Sequence, residues 1–232
     1  VHTRFGPTRP DGRYLLRTED GTEFTSDKVV LAAGARSVIP PAIAQSNIDF
    51  HTSDTIMRIG DLPQHLLIVG GGFVAAEFAH VFSSLGSRVT LVIRGGTMLS
   101  HCDDTICERF TDIAAKKWEI RSHRNMVGAH HDGSAVVVEL DDGSEVSADA
   151  VLVATGRVPN GDQLDADTVG VEVADGLVVV DEEWPVGIFT QREALLARAA
   201  VGAEHAVVLA GEGVAVAVLQ ARTGAHDERP LA

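Results

Sequence analysis

A glycine-rich turn between two short apolar runs, within residues 66–94, constrains the fold of this chain more than any other feature. The run LLIV at residues 66–69 predicts a buried strand, and the run VTLVI at residues 89–93 predicts a second one. Gly86 stands where a helix C-cap glycine is expected. Between the runs, apolar residues recur at the spacing of one helical face, at Val74, Phe78, Val81, Phe82 and Leu85. The pattern predicts a strand-turn-helix-strand unit.

The turn has the spacing Gly70-x-Gly72-x-x-Ala75, a dinucleotide-binding fingerprint with alanine as the third small residue. Gly70 permits a tight turn, Gly72 lets the backbone approach a pyrophosphate, and Ala75 lets the helix pack closely on the strands. The diphosphate is expected on the free N–H groups of the helix N-terminus. A turn of this kind can also be purely structural, but the flanking strands favour the binding interpretation. The predicted pyrophosphate site comprises Gly70, Gly71, Gly72, Phe73, Val74 and Ala75.

The residue that ends the second strand indicates which dinucleotide is bound. NAD-binding units usually carry an acidic residue there, which accepts hydrogen bonds from the adenosine ribose and repels a 2′-phosphate. This chain has Ile93 followed by Arg94, whose guanidinium would form charge-assisted hydrogen bonds with a 2′-phosphate. NADP(H) is therefore the expected ligand. The alternative is that Arg94 is an ordinary solvated residue at a strand end.

An internal repeat organises the chain. Residues 15–36 align without a gap on residues 137–158, and each copy predicts a β-hairpin closed by an Asp-Gly turn, followed by an apolar strand that ends at a glycine. Small residues at that strand end, Gly156 in the second copy, allow close approach of the backbone to a ligand. The identical pairs are Asp20/Asp142, Gly21/Gly143, Glu23/Glu145, Asp27/Asp149, Val29/Val151, Ala32/Ala154 and Gly34/Gly156. Chance similarity between two hairpins is the alternative to duplication.

Charge and composition exclude some partners. The formal net charge is -14, which disfavours nucleic acid and anionic membrane surfaces as partners, although a local site for one phosphate needs only a few donors. No apolar run approaches the length that spans a bilayer, and two cysteines are too few for a disulfide scaffold. These features predict a cytoplasmic protein with neither nucleic-acid nor membrane partners.

The order of segments VVLAAGARSVIP, IVGGGFVAAEFAHVFSSLGSRVTLVIRG and VLVATGRVPN resembles the flavoprotein disulfide reductases that use a pyridine nucleotide. The segments HTSDTIMRI, GFVAAEFAHVF, VTLVIRG and HCDDTICERF are most similar to the actinobacterial branch of that family that reduces mycothione. The resemblance implies that NADPH passes hydride to FAD, and that electrons continue through a redox disulfide to a small-thiol disulfide such as mycothione. It also implies a homodimer, whose contact domain this chain lacks.

The resemblance gives roles to individual residues. It implies that Gly70, Gly72 and Ala75 hold the pyrophosphate and that Arg94 holds the 2′-phosphate. Phe73 would cover the nicotinamide pocket, although packing of the helix explains an aromatic there equally well. Glu77 would lie near the nicotinamide and the flavin and pair with a lysine of the FAD domain. Its alternative is a first-turn acidic residue stabilised by the helix dipole.

Some positions depart from the family pattern. Relatives often carry a second arginine where this chain has Ser100, which would reduce affinity for the 2′-phosphate. The family's FAD fingerprint and redox cysteines belong upstream and are absent here. Cys102 and Cys107 have a similar spacing but a different context, and on one helix their side chains would diverge, so we do not expect a redox role. A metal site with His101 and His123 is not expected either, because no set of four ligands is convincing.

The expected fold is α/β, with a Rossmann-like NAD(P)-binding domain, a parallel sheet with helices plus a β-meander, inserted in remnants of an FAD/NAD(P)-binding domain. The expected segments are the end of the first FAD segment (1–45), the NADPH domain (46–157), the return to the FAD domain (158–182) and a divergent alanine-rich tail (183–232). In the tail, residues 192–201 could form a helix and AVVLAGEGVAVAVLQ a strand pair.

The leading functional hypothesis is the NADPH-binding portion of a flavoprotein disulfide reductase, without turnover in isolation. A catalytically silent NADP(H)-binding module is a second hypothesis, which the absence of redox groups favours and Glu77 disfavours. An NADH-dependent relative similar to dihydrolipoamide dehydrogenase is a third, disfavoured by Arg94. The fourth is a nonfunctional fragment with an exposed apolar contact face.

Overall fold

A computed structural model describes residues 3–7, 9–179, 208–211 and 214–220. The chain divides into two compact units, the first formed by Val1–Arg36 and Arg157–Ala232 and the second by Ser37–Gly156. Ile43 and Ile48, near the start of the second unit, are both buried in its core.

The first unit opens with an antiparallel meander, in which three strands pair in the order β1-β2-β3. Its β2 and β3 are joined by the predicted Asp-Gly turn, where Gly21 has a φ of 84°, a left-handed conformation that favours glycine. The strands up to residue 37 are β1 (Thr3–Phe5), β2 (Tyr14–Thr18), β3 (Glu23–Ser26), β4 (Lys28–Ala32) and β5 (Ala35–Ser37).

The second unit contains a four-stranded parallel sheet and an antiparallel meander. The parallel sheet has the order β12-β6-β7-β8, and the meander has the order β11-β10-β9. The predicted α/β class with a parallel sheet, helices and a meander is therefore confirmed. The elements are α1 (Pro41–Ala44), β6 (His65–Val69), α2 (Phe73–Leu85), β7 (Arg88–Val92), α3 (Asp104–Ala114), β8 (Glu119–Arg121), β9 (Met126–Asp132), β10 (Ala135–Leu140), β11 (Glu145–Ala148) and β12 (Ala150–Val153), with a 3-10 turn at Ile56–Arg58.

Both faces of the parallel sheet are covered. Leu66 and Ile68 of β6 belong to a core cluster that includes residues of α2, whereas Leu67 and Val69 belong to a second cluster with residues of the meander. Successive strand side chains point to opposite faces, so a strand covered on both sides must be apolar throughout. This explains why the strand predicted at residues 66–69 reads as a continuous apolar run.

Helix α2 ends as predicted but buries only part of the predicted face. Gly86 adopts the left-handed conformation, and the next residue's N–H donates to the carbonyl oxygen of Phe82, which closes the helix. The predicted apolar face is wrong for Val81 and Leu85, which are exposed. The helix packs on the sheet through three alanines, which allow a close approach, and through Phe82, whereas Val81 and Leu85 point outward. The buried residues are Ala75, Ala76, Ala79 and Phe82.

The first unit continues after the second. Strand β13 pairs with β5, and in the tail β16 pairs with β17, which confirms the predicted strand pair; residues 192–201 lie outside the described residues. The elements are β13 (Arg157–Pro159), 3-10 turns at Gly161–Gln163 and Ala166–Val169, β14 (Val173–Ala174), β15 (Leu177–Val178), β16 (Val208–Gly211) and β17 (Val214–Gln220).

Both copies of the internal repeat form the predicted hairpin in the same register. Leu16 pairs with Phe24 in the first copy, and the corresponding Val138 pairs with Val146 in the second. The strands that follow have different neighbours: β12 lies parallel to β6, whereas β4 is antiparallel to β17. The repeat therefore sets the local hairpin but not the neighbour of the next strand.

No helix in the described part of the chain is long and apolar enough to cross a membrane.

A buried histidine at the amino end of the parallel sheet makes stability depend on pH. The Arg88 guanidinium can only donate, so its contact of 2.7 Å with His65 Nδ1 requires an unprotonated Nδ1, and Nε2–H then donates to Thr90 at 2.8 Å. Burial, followed by the charge of Arg88, lowers the pKa of His65 below 6.5, although a hydrogen bond with the Ser147 backbone and the charges of Asp149 and Glu119 act in the opposite direction. The unfolded state therefore binds a proton at a higher pH than the folded state, and stability is lost as pH falls below about 6.5.

We expect His65→Gln to remove this part of the pH dependence. In urea denaturation between pH 7 and pH 5, the free energy of unfolding of the original chain should fall relative to that of the variant. His80→Gln, at an exposed position on α2, is the matched control and should leave the slope unchanged. Equal slopes for the original chain and His65→Gln would contradict this account.

Candidate nucleotide-binding site

The glycine turn lies at the carboxyl ends of three neighbouring parallel strands. The N–H of Gly70 donates to the carbonyl oxygen of Val92 at 2.9 Å, and the N–H of Ala154 donates to that of Val69 at 2.8 Å. The ends of β6, β7 and β12 are thereby joined directly in front of α2. Ligands of open α/β sheets bind at this edge.

Gly70 cannot be replaced by a residue with a side chain without a clash. Its φ is 133°, and a Cβ on it would lie 2.2 Å from the carbonyl oxygen of Ala154. Because the contact is with backbone at the end of the neighbouring strand, no side-chain rotation relieves it. Gly70 of the turn therefore meets Ala154, which lies at the end of the apolar strand in the second copy of the repeat.

Gly71 is held from the opposite side by a loop that sequence patterns did not identify. A Cβ on it would lie 2.9 Å from Ile93 Cγ2. Its carbonyl oxygen accepts the N–H of Leu99 at 2.7 Å, and Leu99 has a φ of 58°, a strained conformation for leucine. The sequence carries no local signal for this contact, because the contact depends on the path of the loop between β7 and α3.

Gly72, by contrast, faces open space. Apart from the adjoining residues of the turn and helix, no heavy atom in the described part of the chain lies within 4 Å of the position that its Cβ would take. Gly72 is the N-cap of α2 and supplies no side chain to cap the helix, so the N–H groups of the first turn lack the usual partner. An uncapped helix N-terminus beside open space can receive an anion.

Arg94 follows β7 and is exposed, and it makes no hydrogen bond or ion pair with other described residues. The N–H of Ile93 donates to the carbonyl oxygen of Arg121, and the N–H of His123 donates to that of Gly95 at 3.0 Å. The His123 ring also lies against Gly96, with Nε2 3.0 Å from the position of a Cβ. Sequence reasoning missed His123 as a neighbour of this strand end, because β8 is far from β7 along the chain.

The remaining predicted residues lie around the start of α2 and the end of β12. Phe73 is the first residue of α2 and is 48% exposed, and Val74 follows it half-buried. Glu77 is exposed and lies beyond the first turn, which contains no acidic residue, so its alternative interpretation as a first-turn acidic residue is wrong. Gly156 has a φ of 129° just after β12, and Ser100 is exposed in the loop before α3.

The sequence argument placed both cysteines on one helix, but only Cys107 lies on α3. Cys102 is exposed and precedes the N-cap Asp103, whereas Cys107 is buried within the helix. The reason is that the Asp103 side chain accepts the N–H of Thr105 and starts the helix after Cys102. Among the described residues, no group of three or more histidine, cysteine, aspartate or glutamate side chains could hold a metal ion.

A parallel sheet, a glycine turn at its carboxyl edge and an uncapped helix define the second unit as Rossmann-like, the class that binds dinucleotides. The family model of pyridine nucleotide-disulphide oxidoreductases matches residues 8–189. The chain belongs to this family.

Comparison with curated proteins and solved structures supports this family assignment. The chain is 66% identical to mycothione reductase of Mycobacterium tuberculosis over 182 residues, which cover 78% of the chain and 40% of that protein. It is 35% identical to glutathione reductase of Burkholderia cepacia over 71% of the chain and 37% of that protein. The solved HOCl-induced flavoprotein disulfide reductase RclA of Escherichia coli has a TM-score of 0.68 at 26% identity, over 78% of the chain and 41% of that structure. The chain thus spans about two fifths of the length of the curated relatives it matches.

Proposed function

We propose that this chain binds NADP(H) through the loop at Gly70–Gly72 and Arg94. The observation that carries the proposal is the uncapped N-terminus of α2, which opens onto free space at Gly72 beside the ends of three parallel strands. A pyrophosphate in this position would accept hydrogen bonds from the first-turn N–H groups and would be stabilised by the helix dipole.

Arg94 supports the choice of the phosphorylated dinucleotide. It stands just past the end of β7, where dinucleotide-binding units contact the adenosine ribose, and its guanidinium has no partner among the described residues. A free guanidinium can form two parallel hydrogen bonds with a phosphate, whereas a ribose hydroxyl offers no charge to pair with. NADPH is therefore preferred over NADH.

We further propose that the intact protein is a flavoprotein disulfide reductase that passes electrons from NADPH to a small-thiol disulfide, with mycothione as the substrate. The 66% identity to a mycothione reductase supports this assignment. FAD supplies the electron transfer between nicotinamide and disulfide. In this proposal the intact protein is a cytoplasmic homodimer, residues 46–157 form the NADPH domain, and residues 1–45 and 158–182 belong to the FAD domain.

Two residues of α2 are proposed to act on the nicotinamide side. Phe73 is about half exposed at the first helical position, and Glu77 is exposed one turn later, with a carboxylate that makes no hydrogen bond with other described residues. Phe73 would cover the nicotinamide ring pocket. Glu77 would stand near the nicotinamide and the flavin and pair with a lysine of the FAD domain.

Arg94→Ala tests the cofactor assignment. Loss of charge-assisted hydrogen bonds worth about 1.5–3 kcal/mol should weaken NADPH binding about 10- to 100-fold and leave NADH binding unchanged. A fluorescence titration of the purified chain with each nucleotide measures both affinities.

Arg17→Ala is the matched control, because it removes an exposed guanidinium from the first unit, where Arg17 pairs with Glu23. It should leave both affinities unchanged. Equal weakening of NADPH and NADH by Arg94→Ala, or preference of the original chain for NADH, would overturn the assignment. No binding of either nucleotide by the folded chain would overturn the proposed function itself.

A further inference from the structure

The two cysteines of the chain occupy positions whose side chains meet in folded helices. Asp103 is the N-cap of α3, so Cys102 is the residue before the cap and Cys107 is the fourth helical residue. In many helices, side chains at these two positions contact each other across the first turn. The Cys107 thiol lies 3.5 Å from the backbone carbonyl oxygen of Cys102, which places it beside the residue before the cap. Because Cys102 lies before the helix, the argument that two side chains on one helix diverge does not apply to this pair.

The two thiols differ in accessibility. Cys102 is exposed, whereas Cys107 is only 3% exposed. An external reagent can reach the first residue directly, whereas burial shields the second from it. This is the arrangement of an attacking and a resolving cysteine.

The cysteine pair is linked to the glycine turn by Leu99. The carbonyl oxygen of Leu99 accepts the Cys107 thiol at 3.0 Å and the N–H of Cys102 at 2.8 Å. The N–H of the same residue donates to the carbonyl oxygen of Gly71 at 2.7 Å. Both cysteines thus hold the strained residue that supports the middle of the turn.

We propose that Cys102 and Cys107 form a redox-sensitive thiol pair whose oxidation to a disulfide weakens nucleotide binding at the glycine turn. The oxidant is the disulfide of a small thiol. The Cys102 thiolate attacks one sulfur of that disulfide, which releases one small thiol and leaves a mixed disulfide. The Cys107 thiolate then attacks the Cys102 sulfur and releases the second small thiol. The protein loses two electrons and two protons, and the oxidant is reduced to two thiols.

Oxidation acts on the turn through a defined contact. The disulfide has no S–H, so the hydrogen bond from Cys107 to Leu99 is lost, and the new bond draws the residues on either side of Asp103 together. Leu99 keeps its strained conformation only while its neighbours hold it, so we expect it to relax and to release Gly71. The inference rests on the proposed nucleotide site, whose regulation it describes.

The test is performed on the whole chain, first reduced and then treated with glutathione disulfide. Because the chain contains two cysteines, titration of free thiols and the intact mass identify the product unambiguously. We expect both thiols to disappear, the mass to fall by two hydrogen atoms, and NADPH affinity to drop about fivefold or more, the range of ordinary coupling between sites. Reduction should restore the affinity.

Cys102→Ser is the matched control. It retains the buried Cys107 and its hydrogen bond to Leu99, so its NADPH affinity should be the same before and after treatment. Cys107→Ser should stop at the mixed disulfide on Cys102, which adds the mass of one glutathione. If this second variant does not fold, the thiol count of the original chain still shows whether the disulfide forms, and Cys102→Ser still shows whether the loss of affinity requires it.

Several outcomes would overturn the inference: two thiols that survive treatment, a mixed disulfide that does not close, a disulfide between chains, or an oxidised chain that binds NADPH as tightly as the reduced one. Failure of the proposed function is distinguishable from these. In that case the reduced chain does not bind NADPH, while the thiol count still reports whether the disulfide forms.

Discussion

Gly70→Ala should destabilise the second unit and abolish NADPH binding. The added Cβ would lie 2.2 Å from the carbonyl oxygen of Ala154, at a φ of 133° that residues with side chains rarely adopt. Backbone strain of about 1–3 kcal/mol and overpacking of about 1–3 kcal/mol together predict a loss of about 2–6 kcal/mol in the free energy of unfolding. Urea denaturation followed by circular dichroism measures it.

Gly72→Ala is the matched control in the same turn. A Cβ there meets no described atom within 4 Å, so stability should fall by less than about 1 kcal/mol, the usual difference between glycine and alanine at an N-cap. The methyl group would nevertheless occupy space where we place the pyrophosphate, so NADPH binding should weaken by about tenfold or more, equivalent to about 1.4 kcal/mol. Two variants of equal stability, or a Gly72→Ala chain with unchanged affinity, would contradict the proposed geometry.

Phe82→Ala should cost about 3–5 kcal/mol of unfolding free energy, because it empties a buried aromatic position in the core between α2 and the sheet. Phe82 is 4% exposed and its ring lies 6.4 Å from that of Phe78, measured between centroids. The expected loss is comparable to the whole stability of a marginal domain. Chemical denaturation at fixed pH gives the value.

Leu85→Ala separates the observed helix face from the face expected from periodicity. Leu85 is 61% exposed, so its truncation should change stability by no more than about 0.5 kcal/mol, as for most surface substitutions. Losses of similar size for Phe82→Ala and Leu85→Ala would mean that the whole predicted face, Leu85 included, is buried.

Local patterns predicted much of this fold from the sequence. The apolar runs at residues 66–69 and 89–93 became β6 and β7, and Gly86 became the left-handed cap of α2. Both hairpins of the repeat formed around their Asp-Gly turns. These features depend on residues close together along the chain, where backbone conformational preference and side-chain period decide the outcome.

The position of the glycine turn followed from the same local pattern, and so did the placement of Arg94 at a strand end. The order of segments was sufficient to identify the family. The sequence by itself therefore determined the class of fold, the family and the location of the candidate site.

Tertiary structure alone decided which residues meet at that site. The alanines of α2 that face the sheet, the contact of Gly70 with Ala154, the support of Gly71 by Leu99 and the contact of the Cys107 thiol with the backbone of Cys102 have no signature in helical or strand periodicity. Each depends on how a loop or a helix packs against segments that are distant in sequence or on where a helix begins. Close packing brings a helix or a loop as near to its neighbour as the side chains allow, and the hydrophobic pattern of the sequence does not encode that distance.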